Sequence, residues 1–325
     1  MQWECVVFNN GVLEGPWPNR DLWNGKYSVA HARGSMIHYL RGEFERIWNE
    51  TQIPFLCVIP CTDGNLNRGH LAAYIERSKR EGQILILGTL GQSFEEGEEG
   101  EDSIANSMGE KDIHYLYLPL DDTFFDHGLT CFLTEAQEKP WTERIPKAVW
   151  RGGCSGGCTP FPYGSGELPL EPRETARVRT VAALVEDNEI ADVKLCWWWS
   201  ENKGIPSEYF GPRMEPDEMM NYKIHLIIDG NVIASSHMWA FASGAVPLLI
   251  SNARCWFSDF IVPYVNYIPV AYDLSDLQEK IRWVIDNPVE GEEIANRSMG
   301  LASMLFSPEF QREYLSNRIR EILSK

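Results

Sequence analysis

The residues best suited to chemistry in this chain begin with a short segment rich in glycine. Arg151 is followed by Gly152 and Gly153, and Ser155 lies two positions further along. Glycines let backbone N–H groups approach a phosphate closely, and a guanidinium group can hold two phosphate oxygens at once. The segment therefore predicts a phosphate-binding loop, and a tight turn beside a surface arginine is the alternative interpretation.

More arginines lie in the helix predicted over residues 173–186. Arg177 and Arg179 belong to it, together with Arg173 at its start. The 325-residue chain carries a formal net charge of −18, which opposes the approach of any anionic ligand. A group of guanidinium side chains in such a chain indicates a local anion site, and an exposed helix face is the alternative interpretation.

Polar residues also follow the clearest strand pattern of the chain, the apolar run over residues 222–228. Asp229 comes directly after that run, and Ser235, Ser236 and His237 open the helix predicted next. The two serines either cap this helix or bind phosphate. His237 either contacts phosphate or lies in the core as a histidine whose hydrogen bonds are satisfied.

Carboxylates follow two predicted strands of the first half. Asp63 comes after the strand predicted over residues 54–60, and Asp121 and Asp122 follow the strand predicted over residues 113–118. A carboxylate at a strand end can accept the proton of a hydroxyl group. Asp63 is therefore a candidate general base, with an Asx turn as its alternative role. Asp121 and Asp122 are the competing candidates.

The elements that position these residues alternate between strand and helix. Strand, helix and strand over residues 54–87 predict a parallel βαβ unit, and a second α/β pattern begins near residue 147. We therefore predict two Rossmann-like domains, residues 1–146 and 147–307, and a final helix over 308–325 that packs back on the first domain. In such folds the ligand lies between the domains, at the carboxyl ends of the strands.

Six ordered motifs of the second half resemble those of glycosyltransferase family 90. This is the family of the fungal capsule-associated xylosyltransferases and the animal protein O-glucosyltransferases, and virus-encoded members exist. The likeness covers residues 145–300 and extends only loosely into the first half. The motifs lie at residues 148–156 (AVWRGGCSG), 176–179 (ARVR), 222–235 (YKIHLIIDGNVIAS), 242–244 (ASG), 267–270 (YIPV) and 273–277 (DLSDL).

The resemblance implies an α/β protein with a GT-B fold, whose active site lies in the cleft between two Rossmann-like domains. It also implies an inverting transfer of xylose or glucose from UDP-xylose or UDP-glucose to a hydroxyl of a glycan or glycoprotein, without a metal or other cofactor. Carried over by position, the residues that contact the UDP-sugar donor are Arg151, Gly152, Gly153, Ser155, Arg177, Arg179, Asp229, Ser235, Ser236 and His237.

The acceptor side of the site is implied by the pattern Val58-Ile-Pro-Cys-Thr-Asp63. The family has an aspartate after such a strand as the proposed base that deprotonates the acceptor, and Asp63 stands at its position. The predicted acceptor contacts are Asp121, Asp122 and Phe124, since the strand before them loosely resembles a family segment. The adjacent pair Asp121-Asp122 lacks the spacing of an Asp-x-Asp metal motif, which agrees with a metal-independent reaction.

One position departs from the family pattern. The family usually has an arginine in the helix after the Asp-Gly strand, and Ser236 stands at the matching place. A non-catalytic protein that binds a nucleotide sugar or a glycan is therefore kept as the alternative. A Rossmann dehydrogenase is disfavoured because no clean G-x-G-x-x-G segment opens a helix. The cysteine pairs Cys57/Cys61 and Cys154/Cys158 lack the second pair of ligands typical of a zinc site.

Composition disfavours several other classes. A strongly acidic chain is poorly suited to bind nucleic acid, and no apolar run reaches the roughly 18 residues that a membrane span requires. The first residues lack the basic segment and apolar run of a signal peptide. We therefore expect a cytoplasmic protein that neither binds nucleic acid nor inserts into a membrane.

Overall fold

The computed structural model of the chain describes thirteen stretches of residues that together hold two α/β domains. The described residues are 5–14, 34–60, 68–89, 92–93, 113–119, 125–126, 128, 130–154, 175–196, 204–230, 233–234, 236–251 and 253–325. The strands are β1 (Cys5–Asn9), β2 (Val12–Glu14), β3 (Phe55–Pro60), β4 (Ile84–Thr89), β5 (Gln92–Ser93), β6 (Ile113–Tyr117), β7 (Ile145–Gly152), β8 (Ala191–Cys196), β9 (Phe210–Gly211), β10 (Tyr222–Ile228), β11 (Val246–Ile250), β12 (Ala253–Arg254) and β13 (Ile268–Pro269). The α-helices are α1 (Gly34–Thr51), α2 (Arg68–Glu81), α3 (Thr130–Gln137), α4 (Ala176–Leu184), α5 (Pro216–Met219), α6 (Ser236–Ala242), α7 (Leu277–Asp286), α8 (Pro288–Leu305) and α9 (Pro308–Leu323).

The N-terminal sheet has five strands in the order β2-β1-β3-β4-β6. Strands β3, β4 and β6 are parallel, as the βαβ pattern predicted, and β1 is antiparallel to both β2 and β3. The hairpin of β1 and β2 was not predicted. Its turn is Asn10-Gly11, and both residues have positive φ, 48° and 82°. An Asn-Gly pair suits a two-residue hairpin because both residues tolerate this conformation.

Helix α1 and the final helix α9 close the core of the N-terminal domain. The helical spacing of apolar residues in α1 places Phe44 against two strand residues, with ring centroids 5.1 Å from Phe8 and 5.2 Å from Phe55. From α9, the buried residues Leu315 and Ile319 enter the same core. The chain therefore returns to the N-terminal domain after it completes the second sheet.

The C-terminal sheet has six strands in the order β13-β11-β10-β7-β8-β9, and all of its pairs are parallel. Counted within this domain, the order is 6-5-4-1-2-3, which is the order of a Rossmann sheet. The strand order reverses between β7 and β10. The fold class that the family resemblance implied, α/β with two Rossmann-like domains of the GT-B kind, is confirmed.

Helices cover both faces of the C-terminal sheet. Because side chains alternate along a strand, Leu226 and Ile228 of β10 face the core that contains α4 and α7, and Ile227 faces the core that contains α6. Both faces are thus buried, which explains why the last three residues of β10, Leu226 to Ile228, are all apolar rather than alternating with polar ones.

An apolar core shared by the two sheets joins the domains. It contains Leu56 and Leu85 from the N-terminal sheet together with Phe241 of α6 and Leu305 of α8. The short strands β5 and β12 form an antiparallel pair between the domains. These contacts hold the carboxyl ends of both sheets close to one another. None of the helices in the described ranges is long and apolar enough to cross a membrane.

The buried histidine of β10 gives the fold a predicted response to acid. His225 is almost completely buried, its Nε2 lies 2.8 Å from the Met219 carbonyl oxygen, and burial lowers its pKa to about 4. Unfolding exposes the ring, so the unfolded chain takes up a proton as the pH falls through about 6.5. The folded chain takes up this proton only near pH 4. We expect the free energy of unfolding to fall by about 3 kcal/mol from this group as the pH drops from 6.5 to 4.

Urea unfolding at a series of pH values measures this effect. His225→Gln keeps a donor for the Met219 carbonyl and should flatten the pH dependence between pH 6.5 and 4. His38→Gln makes the same change at an exposed histidine and should leave the slope as it is. Equal slopes in the wild type and in His225→Gln would show that His225 is not the titrating group.

Candidate active site

The carboxyl ends of β7 and β10 lie side by side where the strand order of the C-terminal sheet reverses. In open α/β sheets a ligand binds in the crevice at such a switch point. Arg151 and Gly152 are the last residues of β7, Gly153 follows that strand, and Asp229 follows β10. The fold therefore brings two of the predicted donor segments to one edge of the sheet.

The guanidinium group of Arg151 is occupied within its own domain. Nη2 lies 2.7 Å from Oδ1 of Asp192, Nη1 donates to the carbonyl oxygens of Trp150 and Asp192, and Nε donates to that of Pro212. Burial raises the pKa of Asp192, but hydrogen bonds from Tyr222 and Arg151 outweigh it, so the pKa lies below its ordinary value. This geometry does not support the predicted contact of Arg151 with a diphosphate, since four hydrogen bonds already hold the side chain.

Gly152 is the last residue of β7 and lies against the ring of Trp150, and Gly153 follows it. A Cβ atom added to Gly152 would lie 2.5 Å from Cζ2 of Trp150, so any other residue here would displace the indole. Gly153 is buried directly after the strand. The first glycine is thus explained by packing, and contact of the loop with phosphate stays a prediction.

Helix α4 begins at the same edge of the C-terminal sheet. Its N-cap residue Thr175 accepts a hydrogen bond from the Val178 amide, and its hydroxyl donates to the Cys154 carbonyl oxygen at 3.3 Å. These bonds fix the first turn of the helix against the end of the glycine-rich segment. Arg177 and Arg179 are the second and fourth residues of α4, so both lie near the helix end whose dipole favours anions.

The two arginines of α4 have different surroundings. The guanidinium of Arg177 lies 5.9 Å from the ring centroid of Trp150. That of Arg179 lies over Tyr272, 5.4 Å from the ring centroid, and its Nη2 donates to the Tyr272 carbonyl oxygen at 3.0 Å. Within the described part of the chain this is its one hydrogen bond, and its buried Nε has no acceptor. Arg179 therefore keeps donors for a ligand, in contrast to Arg151.

Asp229 and His237 are buried and bonded to each other. His237 Nε2 lies 3.0 Å from Asp229 Oδ1, and Nδ1 lies 3.1 Å from the Ala234 amide. The other oxygen of Asp229 accepts a hydrogen bond of 2.7 Å from Ser251. Their side chains are 1% and 2% exposed, so neither can reach a ligand directly without rearrangement. The alternative of a satisfied core histidine describes His237, and the pair serves to position the segment between β10 and α6.

Ser236 is the first residue of α6 and is half-buried. The other predicted residues, which are the base, two donor contacts and all three acceptor contacts, lie outside the described residues. These are Asp63, Ser155, Ser235, Asp121, Asp122 and Phe124.

Ser251 belongs to the site but was not predicted from the sequence. It follows β11 directly, and its Oγ joins Asp229 to the amide of Ala253 at 3.0 Å. A single serine after a strand has no distinctive spacing, so only the packing of β10 beside β11 identifies its role.

Two of the four cysteines considered as zinc ligands are free thiols in the core. Cys57 and Cys154 are buried, and burial raises the pKa of Cys57. Their partners Cys61 and Cys158 lie outside the described residues. Across the stretches that the structure does describe, no three side chains of His, Cys, Asp or Glu converge to hold a metal ion.

Comparison with known proteins gives a family match in the region of this site. The family model described as glycosyl transferase family 90 matches residues 173–317. This span includes both arginines of α4 and the segment from Asp229 to His237.

Relatives are found among viral and animal proteins. Protein 179R of Invertebrate iridescent virus 6, described as uncharacterized, is 30% identical over 248 residues, which are 66% of this chain and 20% of that protein. Protein O-glucosyltransferase 2 of Danio rerio is 33% identical over 161 residues, 48% of this chain and 28% of that protein. The chain spans 17 to 20% of the length of the three viral relatives.

Among solved structures, HepE of Anabaena in complex with UDP and glucose aligns with a TM-score of 0.47. The identity is 12%, over 88% of this chain and 75% of that one. The family model and the named relatives agree with the motifs found in the sequence. Over residues 173–317, the chain is therefore similar to glycosyl transferase family 90.

Proposed function

We propose that the protein transfers xylose or glucose from a UDP-sugar to a hydroxyl group of a glycan or glycoprotein acceptor. We further propose that the transfer inverts the anomeric centre and needs no metal ion. Similarity to the glycosyltransferase family supports the class of reaction. UDP-glucose as a donor is suggested by the names of the O-glucosyltransferase relatives.

The observation that carries this proposal is the position of Arg179. It lies in the first turn of α4, beside the carboxyl edge of a Rossmann sheet, and most of its donors are uncommitted within the described chain. In a chain of net charge −18, a diphosphate needs such a local cation to bind. Guanidinium groups and a helix dipole can also stabilise the charge that develops on a departing diphosphate.

At the anomeric carbon, the proposed reaction forms one bond and breaks another. The acceptor oxygen attacks the anomeric carbon and passes its proton to the carboxylate of Asp63. The bond from the anomeric carbon to the diphosphate oxygen breaks, and UDP leaves with its electron pair. Attack opposite the leaving group inverts the anomeric centre.

Replacing Arg179 with alanine should weaken UDP binding about 10- to 100-fold, because charge-assisted hydrogen bonds to the diphosphate are lost. Titration calorimetry with UDP, without metal and with EDTA, measures the change. Arg282→Ala is the matched control, since it makes the same change in net charge at a half-exposed arginine paired with Asp187. If Arg179→Ala kept the wild-type UDP affinity and only lowered the melting temperature, Arg179 would stabilise the fold through its contact with Tyr272 and would have no role in UDP binding.

A direct test of the function is release of UDP from a panel of nucleotide sugars, with and without added glycans. A transferase releases UDP slowly without an acceptor and faster with one, and the product's anomeric configuration follows from NMR. A protein that binds UDP or a nucleotide sugar and never releases UDP would be the non-catalytic binder. This alternative was kept because Ser236 stands where the family usually has an arginine.

A further inference from the structure

A cavity of about 630 Å³ lies between the two domains and α9. Its walls come from the end of β6, from the segment after β12 and from one side of α9. This volume is typical of a site for a small molecule. None of the predicted donor residues that the structure describes lines it.

Aromatic rings form the apolar part of the wall. Trp256 and Tyr314 lie with ring centroids 5.5 Å apart, and Phe260 meets Phe310 edge to face at 5.4 Å. Tyr117, the last residue of β6, adds a further ring. Such rings offer flat apolar surfaces, and the C–H face of a sugar ring is flat and apolar in the same way.

The three cations and three carboxylates of the wall balance, and each cation lies beside a carboxylate. Arg254 holds both carboxylate oxygens of Asp259, at 2.6 and 2.8 Å. On α9, Glu321 accepts from Arg318 at 2.8 Å and lies 3.6 Å from Lys325. The cations are thus neutralised in place, so the cavity is poorly suited to a phosphate and better suited to a neutral ligand.

Other polar groups of the wall are uncommitted within the described chain. Glu313 and Asn317 are one helical turn apart on the exposed side of α9 and line the cavity. An apolar ligand would form no hydrogen bonds with these two side chains, whereas a ligand with several hydroxyl groups can donate to Glu313 and exchange hydrogen bonds with Asn317.

The cavity wall connects to the switch point through Ser251. That residue bonds to Asp229 at the end of β10 and to the amide of Ala253, which begins β12. The aromatic segment that lines the cavity follows β12 directly. The cavity therefore opens in the same interdomain region as the proposed donor site.

We infer that this cavity binds a neutral saccharide as the carbohydrate part of the acceptor, an inference that rests on the proposed function. The aromatic rings stack on a sugar ring, and Glu313 and Asn317 bond to its hydroxyl groups. The acceptor is then recognised through its glycan rather than through a charged peptide surface.

Binding of neutral sugars to the full chain tests the inference. The probes are glucose, galactose, mannose, xylose, N-acetylglucosamine and their short oligomers, followed by saturation-transfer NMR and calorimetry. Binding of at least one neutral sugar is expected, and its acidic counterpart, such as glucuronate for glucose, should bind no more tightly. Binding of acidic sugars alone would overturn the inference.

Three variants locate the bound sugar. We expect about 5-fold weaker binding in Glu313→Gln, which removes the charge from a hydrogen-bond acceptor and keeps its shape, and about 10-fold weaker binding in Phe260→Ala. Asn317→Ala changes an exposed position with little risk to folding and should weaken binding about 3-fold. Glu309→Gln makes the first change at another exposed glutamate of α9 and is the matched control. Wild-type affinity in all three cavity variants would overturn the assignment.

UDP titration of the wild-type protein separates the two proposals. Binding of UDP without binding of any neutral sugar would refute the saccharide cavity and leave the proposed function standing. Binding of a neutral sugar that the cavity variants weaken, without binding of UDP, would refute the proposed donor and retain the cavity as a glycan site.

Discussion

Replacing Asp63 with asparagine should lower the rate of sugar transfer about 10²- to 10⁴-fold and leave UDP affinity unchanged. The amide has nearly the shape of the carboxylate but cannot accept the proton of the acceptor hydroxyl. Asp63 comes three residues after the carboxyl end of β3, at the edge of the N-terminal sheet where ligands of parallel strands bind. Its own position lies outside the described residues, so kinetics provide the decisive test.

Steady-state transfer and UDP titration of the same protein samples distinguish loss of chemistry from loss of binding. Asp121→Asn and Asp122→Asn are the matched variants, because these carboxylates follow β6 and are the competing bases. We expect them to raise KM for the acceptor more than they lower kcat. If Asp63→Asn turned over normally and either Asp121→Asn or Asp122→Asn lost most of its turnover, the base would be one of the two aspartates after β6 and not Asp63.

Much of the fold follows from local patterns. The strand predicted over residues 222–228 is β10, and its observed bounds agree with the prediction. The final helix predicted over residues 308–325 is α9, which runs from Pro308 to Leu323, with Pro308 as its first residue. The β1–β2 hairpin was missed although Asn10-Gly11 carries a recognisable turn signal, since its strands are only five and three residues long.

The site was less predictable, because local sequence does not show where a guanidinium group points. Arg151 sits at a strand end, as an anion-binding arginine would. Its partner Asp192 lies 41 positions further along the chain and reaches it only because β8 pairs with β7 in a particular register. Likewise His237 has the sequence position of a ligand contact, and its bond to Asp229 depends on how the turn after β10 folds.

Replacing Arg144 with methionine should lower the free energy of unfolding by about 3 kcal/mol. Arg144 lies between the domains and is buried, and burial lowers its pKa to about 10, so it stays charged at neutral pH. Its guanidinium donates to the carbonyl oxygens of Ala136, Lys139 and Ser243, at 3.0, 3.0 and 2.8 Å. These carbonyls lie at the carboxyl ends of α3 and α6, where a cation also complements the helix dipoles.

Methionine fills similar space but donates nothing, so the three buried carbonyls each lose a hydrogen bond. Urea unfolding measures the loss, and Arg297→Met at an exposed arginine paired with Glu293 should cost less than about 0.5 kcal/mol. An Arg144→Met variant as stable as this control would show that water replaces the lost donors.

Gly244 gives a sharper form of the same test. It ends the turn after α6 with φ +72°, and an added Cβ would lie 2.6 Å from Nη2 of Arg144. Gly244→Ala should therefore destabilise the wild type through both the strained φ and this clash, whereas in Arg144→Met only the strain should persist. We expect the two changes to cost at least about 1 kcal/mol less together than the sum of their separate effects. Strictly additive losses would mean that the guanidinium does not hold the end of α6 against the start of the second domain.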